Sequence, residues 1–292
     1  MKKRSRKLAT TLLALTGLWV ASMGSAIAAS SQNLDRVASA NLCVDQLVLQ
    51  LADPKQVVTV HWLTREPDDS PMAQLAQAYP ANHGQAEELI GYQPDVVFVG
   101  SYNSPVANSM MQTLGLNLVS VVDPLNYDDI RRNIHQIATA LKVPALGSAL
   151  VDTFDQDLLL TRHALKSRQL KVLVFGSGGY SAGKPGLFHS TLEHVGLINM
   201  AAIGDNSGWV PMTVEDVLLM QPDILILGDY RPDAPSMAGN IVQHPALEAL
   251  QQSVPIIHMP TRLWNCGTPM LAEAAQFLVQ AVHGLTLAGE LP

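Results

Sequence analysis

The chain has 292 residues, 48% of them hydrophobic and 15% charged, with 25 acidic residues against 18 Lys and Arg and a formal charge of −7. That length suits one large domain or two lobes with cores of their own. The acidic balance argues against nucleic acid as a partner, and no stretch has the composition of a low-complexity tract.

Lys2, Lys3, Arg4, Arg6 and Lys7 form a basic start, residues 8–20 an apolar run, and Ala26-Ile27-Ala28 a small-residue site. This order predicts a signal peptide over 1–28, cut after Ala28, and an exported protein. The apolar run is shorter than the roughly 20 residues a membrane span requires. Loss of the leader removes five basic residues and no acidic ones, so the formal charge moves from −7 to −12.

In the mature chain, residues 36–40 read as a strand and 43–51 as a helix with Val44, Leu47, Val48 and Leu51 on one face, capped by Asn41. A second strand covers 57–61. Residues 86–102, AEELIGYQPDVVFVGSY, then make a short helix bearing Glu87, a break at Gln93-Pro94-Asp95, and an apolar strand over 96–99 ended by Gly100. The residue before a proline is pushed out of the helical region, which ends the helix. A run apolar at every position suits a strand covered on both faces, as in a parallel sheet. A helix over 105–114 and a strand over 118–122 follow. Residues 128–141 read as a helix broken at Val143-Pro144. From 145 to about 166, Leu146, Leu150, Phe154, Leu158 and Leu165 recur at roughly helical spacing. A helix of that length is about 30 Å long. A strand over 171–175 and a helix over 189–195 lead to residues 214–230, VEDVLLMQPDILILGDY, and the chain closes with a helix over 244–250, a strand over 254–259 and a helix over 268–283.

The two seventeen-residue stretches match: Glu, Gln, Pro, Asp, Gly and Tyr are identical at a single offset of 128 between Glu87 to Tyr102 and Glu215 to Tyr230. The order of elements around them also repeats. The expected fold is α/β, with two similar lobes of helix-covered parallel sheet over 29–125 and 169–292. A helical connector over 126–168, containing one long helix, joins them, and a ligand cleft lies between them.

Ligands of such sheets sit beyond the carboxyl ends of the strands. The cleft candidates are therefore Asn41, Cys43, His61, Trp62, His83, Tyr102, Tyr180, Trp209, Tyr230, Arg231, Trp264 and Asn265, with Ser181 beside them. Every tryptophan of the mature chain is among them. Amphipathic rings give large contact area with a polar tip and suit a bulky ligand of mixed polarity, although any one ring could equally plug a loop core. His61 and His83 lie near one another in the predicted order, but nothing has the spacing of HExxH or paired CxxC, and no metal site is expected. Cys43 and Cys266 are an even pair in an oxidising compartment. They leave three readings: an interlobe disulfide, two buried thiols, or a part in the ligand site. Gly176-Ser177-Gly178-Gly179 fits neither GxGxxG nor the P-loop, and no GxSxG elbow is present, so an enzyme is not expected. Glu87 and Glu215 begin helices, where the helix dipole favours a carboxylate whatever its function.

Two α/β lobes joined by a long helix, with a Glu seven residues before Pro-Asp and an apolar strand in each, resemble the class III periplasmic binding proteins. Those are the ABC-importer receptors for ferric siderophores, haem and cobalamin. The resemblance covers essentially the whole mature chain. It implies a monomeric periplasmic receptor without a resident cofactor, whose bound ligand is an iron chelate, first a ferric siderophore, then a corrinoid, then haem. It also implies that Glu87 and Glu215, one per lobe, dock onto basic residues of the inner-membrane permease dimer. Trp209, six residues before Glu215, matches a tryptophan the family places at the cleft. Asn82-His83-Gly84 and Asn265-Cys266-Gly267-Thr268-Pro269 depart from the family pattern.

Overall fold

The computed structural model of the protein describes residues 34–291 apart from 203–207, 230–240 and 243. The leader with its cut after Ala28, and the cleft candidates Tyr230 and Arg231, lie outside the described residues.

The first lobe runs β1 (Val37–Ser39), α1 (Leu42–Leu51), β2 (Val57–His61), α2 (Ala73–Ala76), β3 (Ala81–Asn82), α3 (Ala86–Gly91), β4 (Val96–Gly100), α4 (Pro105–Thr113) and β5 (Leu118–Val121). Its strands form one parallel sheet in the order β3-β2-β1-β4-β5. The connector is α5 (Tyr127–Ala140) and α6 (Pro144–Leu159). The second lobe runs β6 (Lys171–Phe175), β7 (Tyr180–Ala182), α7 (Leu187–Val195), β8 (Ile198–Asn199), β9 (Trp209–Pro211), α8 (Val214–Met220), β10 (Ile224–Asp229), α9 (Pro245–Leu250), β11 (Ile256–Pro260), α10 (Thr261–Trp264) and α11 (Leu271–Leu287). Its parallel sheet has the order β11-β10-β6-β8, and β7 pairs with β9 in a separate antiparallel ribbon.

The Gln, Pro and Asp of the repeat have a mechanical reason in both lobes. Gln93 and Gln221 sit in the left-handed region at φ 46° and 48°, which stops α3 and α8 where proline forbids another helical residue. Asp95 Oδ2 accepts from the backbone N–H groups of Asp35 and Arg36 at 2.8 and 2.9 Å, and Asp223 Oδ2 accepts from Lys171 N at 2.7 Å. In each lobe the repeated Asp thus fastens the start of the repeat strand to the start of its neighbour. Gly100 is required because a Cβ there would lie 2.5 Å from Asn41 Nδ2.

The continuous apolar runs follow from double coverage. Val96 and Phe98 join one buried cluster while Val97 and Val99 join another on the opposite face of the sheet. Their repeat partners divide the same way, Ile224 and Ile226 from Leu225 and Leu227. The cluster holding Val96 and Phe98 does not stop at the lobe. It continues through Ile130 and Ile134 of α5 and Phe154 and Leu158 of α6 to Val172, Ile226, Met259 and Leu278 of the second lobe. The lobes therefore share a core.

The connector is a close antiparallel pair. Ala138 faces Gly147, where a Cβ would come within 2.5 Å, and further along Arg131 Nε and Nη2 donate to Asp155 Oδ1 at 2.8 and 2.6 Å. The long connecting helix ends at Leu159, earlier than its apolar spacing predicts. Tertiary pairing takes over there: His163 N donates to His194 O and Leu165 N to Val195 O, at 2.7 and 2.8 Å. Leu165 stays buried at the helical register, yet it is held by the end of α7 rather than by its own helix. The last helix is also displaced, starting at Leu271 and running to Leu287.

Candidate functional site: the interlobe cleft

The carboxyl ends of the two sheets meet at a covalent joint. Cys43, in the first turn of α1, and Cys266, beyond β11 and α10, form a disulfide with Cα atoms 5.0 Å apart. Of the three sequence readings the interlobe bridge is the one realised, so Cys43 offers a ligand no thiol. Two hydrogen bonds flank it across the same junction. Buried Thr268 Oγ1 donates to Gln46 Oε1 at 3.1 Å, and Asn265 Nδ2 donates to the Asp69 carbonyl at 3.0 Å.

On the first lobe, the end of β2 turns into a 3-10 segment, Trp62–Arg65. The rings of His61 and Trp62 lie 6.1 Å apart and those of Trp62 and His83 6.0 Å, an aromatic row along the rim. Burial, and then the neighbouring His83, push the His61 imidazole down to about 4, so it is neutral near pH 7. Its Nδ1 is buried without a partner. Glu88 holds the far end of the row, accepting from His83 N at 2.6 Å and lying 2.9 Å from His83 Nδ1. Burial would raise the Glu88 carboxyl, but these bonds outweigh it and hold the group below its ordinary value. Tyr102, after β4, is 82% exposed; partial burial and then Asp123 push its hydroxyl up, so the phenol keeps its proton. Asn41 is an N-cap, its Oδ1 accepting from Cys43 N and Val44 N at 3.0 and 3.2 Å.

On the second lobe a cavity of about 220 Å³ opens between β6, β10 and the β7–β9 ribbon. Tyr180, Phe188, Trp209, Trp264 and Asn265 line it, with Gly228 at a point where a Cβ would meet nothing. Phe188 packs edge-on against Trp264, centroids 4.3 Å apart, and against Trp209 at 5.5 Å. Trp264 is 3% exposed and forms the base, whereas Trp209 is 58% exposed and stands at the mouth. Among the described residues no group of three His, Cys, Asp or Glu side chains could hold a metal ion.

Glu87 and Glu215 are exposed in the first turns of α3 and α8, as the repeat predicts. In both copies the following acid is occupied. Glu88 binds His83, and Asp216 Oδ2 accepts from Thr213 N and Oγ1, each at 2.8 Å. The first acid of each pair enters no ion pair among the described residues.

This two-sheet frame is a known one, for the family description "periplasmic binding protein" matches residues 37–254. The chain belongs to the periplasmic binding protein family. The molybdate-binding protein MolA of Haemophilus influenzae is 24% identical over 267 residues, 82% of this chain and 74% of MolA. The uncharacterised ABC transporter substrate-binding lipoprotein YvrC of Bacillus subtilis is 24% identical over 153 residues, so the match spans 49% of this chain and 48% of YvrC. Apo RhuT, a periplasmic haem-binding protein from Roseiflexus sp. RS-1, superposes with a TM-score of 0.69 at 21% identity, covering 85% of this chain and 97% of RhuT.

Within this periplasmic binding protein, the described sequence candidates other than the exposed Tyr102 fall into three sets, with Asn265 in two of them. His61, Trp62 and His83 come together on one rim; Tyr180, Trp209, Trp264 and Asn265 come together around the cavity; Asn41, Cys43 and Asn265 belong to caps and interlobe ties. Ser181 does not face the cleft, because its hydroxyl is buried and donates to the Val174 carbonyl. Phe188 was missed since it starts a helix rather than ending a strand. Gln46 and Asp45 were missed too, although two adjacent polar residues inside the apolar helix 42–51 were a visible signal.

Proposed function

We propose that this periplasmic binding protein captures a metal chelate in the interlobe cleft and delivers it to the permease dimer of an ABC importer, with a ferric siderophore as the leading ligand. The observation that carries this reading is the aromatic wall of Tyr180, Phe188, Trp209 and Trp264 around an open cavity, facing solvent through the exposed Trp209. Such a wall suits a ligand that brings its own coordination shell and presents organic surface. Corrinoids and haem share that chemistry. The chain acts by binding and release, as a monomer, after removal of residues 1–28. Its two lobes span 29–125 and 169–292 around the connector 126–168. The unpaired Glu87 and Glu215 would present one negative charge per lobe to basic residues of the permease.

A molybdate-class oxyanion is a second reading, favoured by the match to MolA over 82% of this chain. One experiment separates the readings: the visible spectrum and metal content of protein purified from its native host. Ferric siderophore, corrinoid and haem each give their own bands, and molybdenum without a visible band would favour the oxyanion. Purified protein that binds none of these ligands stoichiometrically would overturn the proposal.

A further inference from the structure

Asp45 is a fully buried carboxylate in the first turn of α1, two residues beyond the disulfide's Cys43. One of its oxygens, Oδ2, accepts from His61 N and from Thr64 Oγ1, both at 2.5 Å. The other, Oδ1, is buried with the Ser39 hydroxyl beside it. A carboxylate buried this completely is costly, and such a group calls for a reason. Its two bonds supply one. They reach the N-cap and the third residue of the segment Trp62–Arg65, so a single oxygen fixes the turn that carries Trp62.

We infer that Asp45 is a positioning residue of the cleft: its carboxylate pins the turn bearing His61 and Trp62, and the rim loosens when that carboxylate takes up a proton. Bonds to an ionised acceptor are roughly twice as strong as those to a neutral one. Protonation, with the hydrogen placed on Oδ1 toward Ser39, therefore weakens both contacts of Oδ2. Burial raises the Asp45 carboxyl to about 6, against bonds from its neighbours that lower it, which brings the change within reach of ordinary acidification.

The surrounding charges are committed elsewhere. Arg65 on the turn is bonded to Gln77, and on α5, packed against α1, Arg131 is held by Asp128 and Asp155 and Arg132 by Asp129. His135 on the same helix is exposed. At the rim, His61 stays neutral above about 4, while His83 and Glu88 hold each other beside Trp62.

Only the ligand consequence rests on the proposed function; the ordering of the turn can be read in the protein alone. Hydrogen exchange of amides 61–65 in the mature chain, corrected for intrinsic rate, should rise severalfold from pH 7.5 to 5.5 in the natural protein. Asp45→Ala should raise it about tenfold or more at pH 7.5, the loss of hydrogen bonds to a charged group, while amides of β4 keep their protection. Asp45→Asn offers only a neutral acceptor and cannot titrate, so 61–65 should be about as loose as in the natural protein at pH 5.5, and equally so at both pH values. Should Asp45→Ala fail to fold, Thr64→Val removes only one of the two donors and should still loosen 61–65 selectively. His83→Gln should leave the pH response in place. Unchanged protection in Asp45→Ala or Thr64→Val, or a pH response that survives in Asp45→Asn, overturns the inference.

The binding arm uses haemin, a ferric hydroxamate, cyanocobalamin and molybdate. Affinity of the natural protein for whichever of them binds should fall about tenfold at pH 5.5, and that of Asp45→Asn should be equally low at both pH values. A natural protein that binds equally well at both pH values while its turn loosens also overturns the role assigned to Asp45. Absence of binding by all four overturns the proposed function instead, and the exchange data still decide the inference.

Discussion

Replacing Cys43 and Cys266 together by Ser tests how the two lobes are held. The bridge closes a loop with a sequence separation of 223, for which the chain-entropy relation gives about 5 kcal/mol of stabilisation at 25 °C. Unfolding entropy of about 2.1 cal/mol/K per residue amounts to roughly 0.55 kcal/mol/K for the mature chain, so the double variant should melt roughly 9 °C lower. It should still fold. The Gln46–Thr268 and Asp69–Asn265 bonds remain, and the apolar cluster shared by both lobes runs unbroken beside them. Scanning calorimetry should therefore show one transition, displaced but cooperative, and the natural protein under reductant should match the variant. A shift below about 2 °C would mean the cross-link constrains the unfolded chain far less than its span requires. Two separate transitions would refute the shared core.

Trp209→Ala should weaken ligand binding by about 2 kcal/mol, roughly thirtyfold, with loss of part of the fluorescence quenching; unchanged affinity in an intact fold would remove Trp209 from the site. Asp45 also has a stability signature opposite to its positioning role. The folded protein keeps its proton up to about 6 while the unfolded chain releases it near 3.8, so the folded state binds more protons between those values and stability falls as pH rises through them. The loss is about 3 kcal/mol for a shift of about two units, and a denaturation series from pH 4 to 7 should find it in the natural protein and not in Asp45→Asn. Glu87→Lys with Glu215→Lys should leave ligand affinity intact and abolish uptake, with normal uptake counting against docking through these residues. Small-angle scattering should give nearly the same radius of gyration with and without ligand, because the disulfide and the shared core oppose opening; a marked compaction would contradict this.

The repeat was legible in the sequence because the same residues recur at one offset, whether they act locally or, like the Asp, across strands. A Gln before Pro ends a helix, an Asp ties neighbouring strand starts, and a run apolar at every position declares a strand covered on both faces. The same reasoning exposed the two acids at equivalent helix starts and gathered most of the aromatic cleft candidates at strand ends. What it could not reach depends on partners distant in sequence. Whether Cys43 meets Cys266 is decided by how the sheets face each other across 223 residues of chain. The connecting helix stops at Leu159 because the end of α7 offers the carbonyls of His194 and Val195, a competition invisible in the spacing of leucines. Phe188 joins the cavity wall only through the crossing of α7 over Trp264. Asp45 reads locally as one of the few polar residues in an apolar helix, and only tertiary packing sets its carboxylate beneath the turn of Trp62. Short-range rules determine the elements, while burial and long-range pairing decide which of their polar groups become a site.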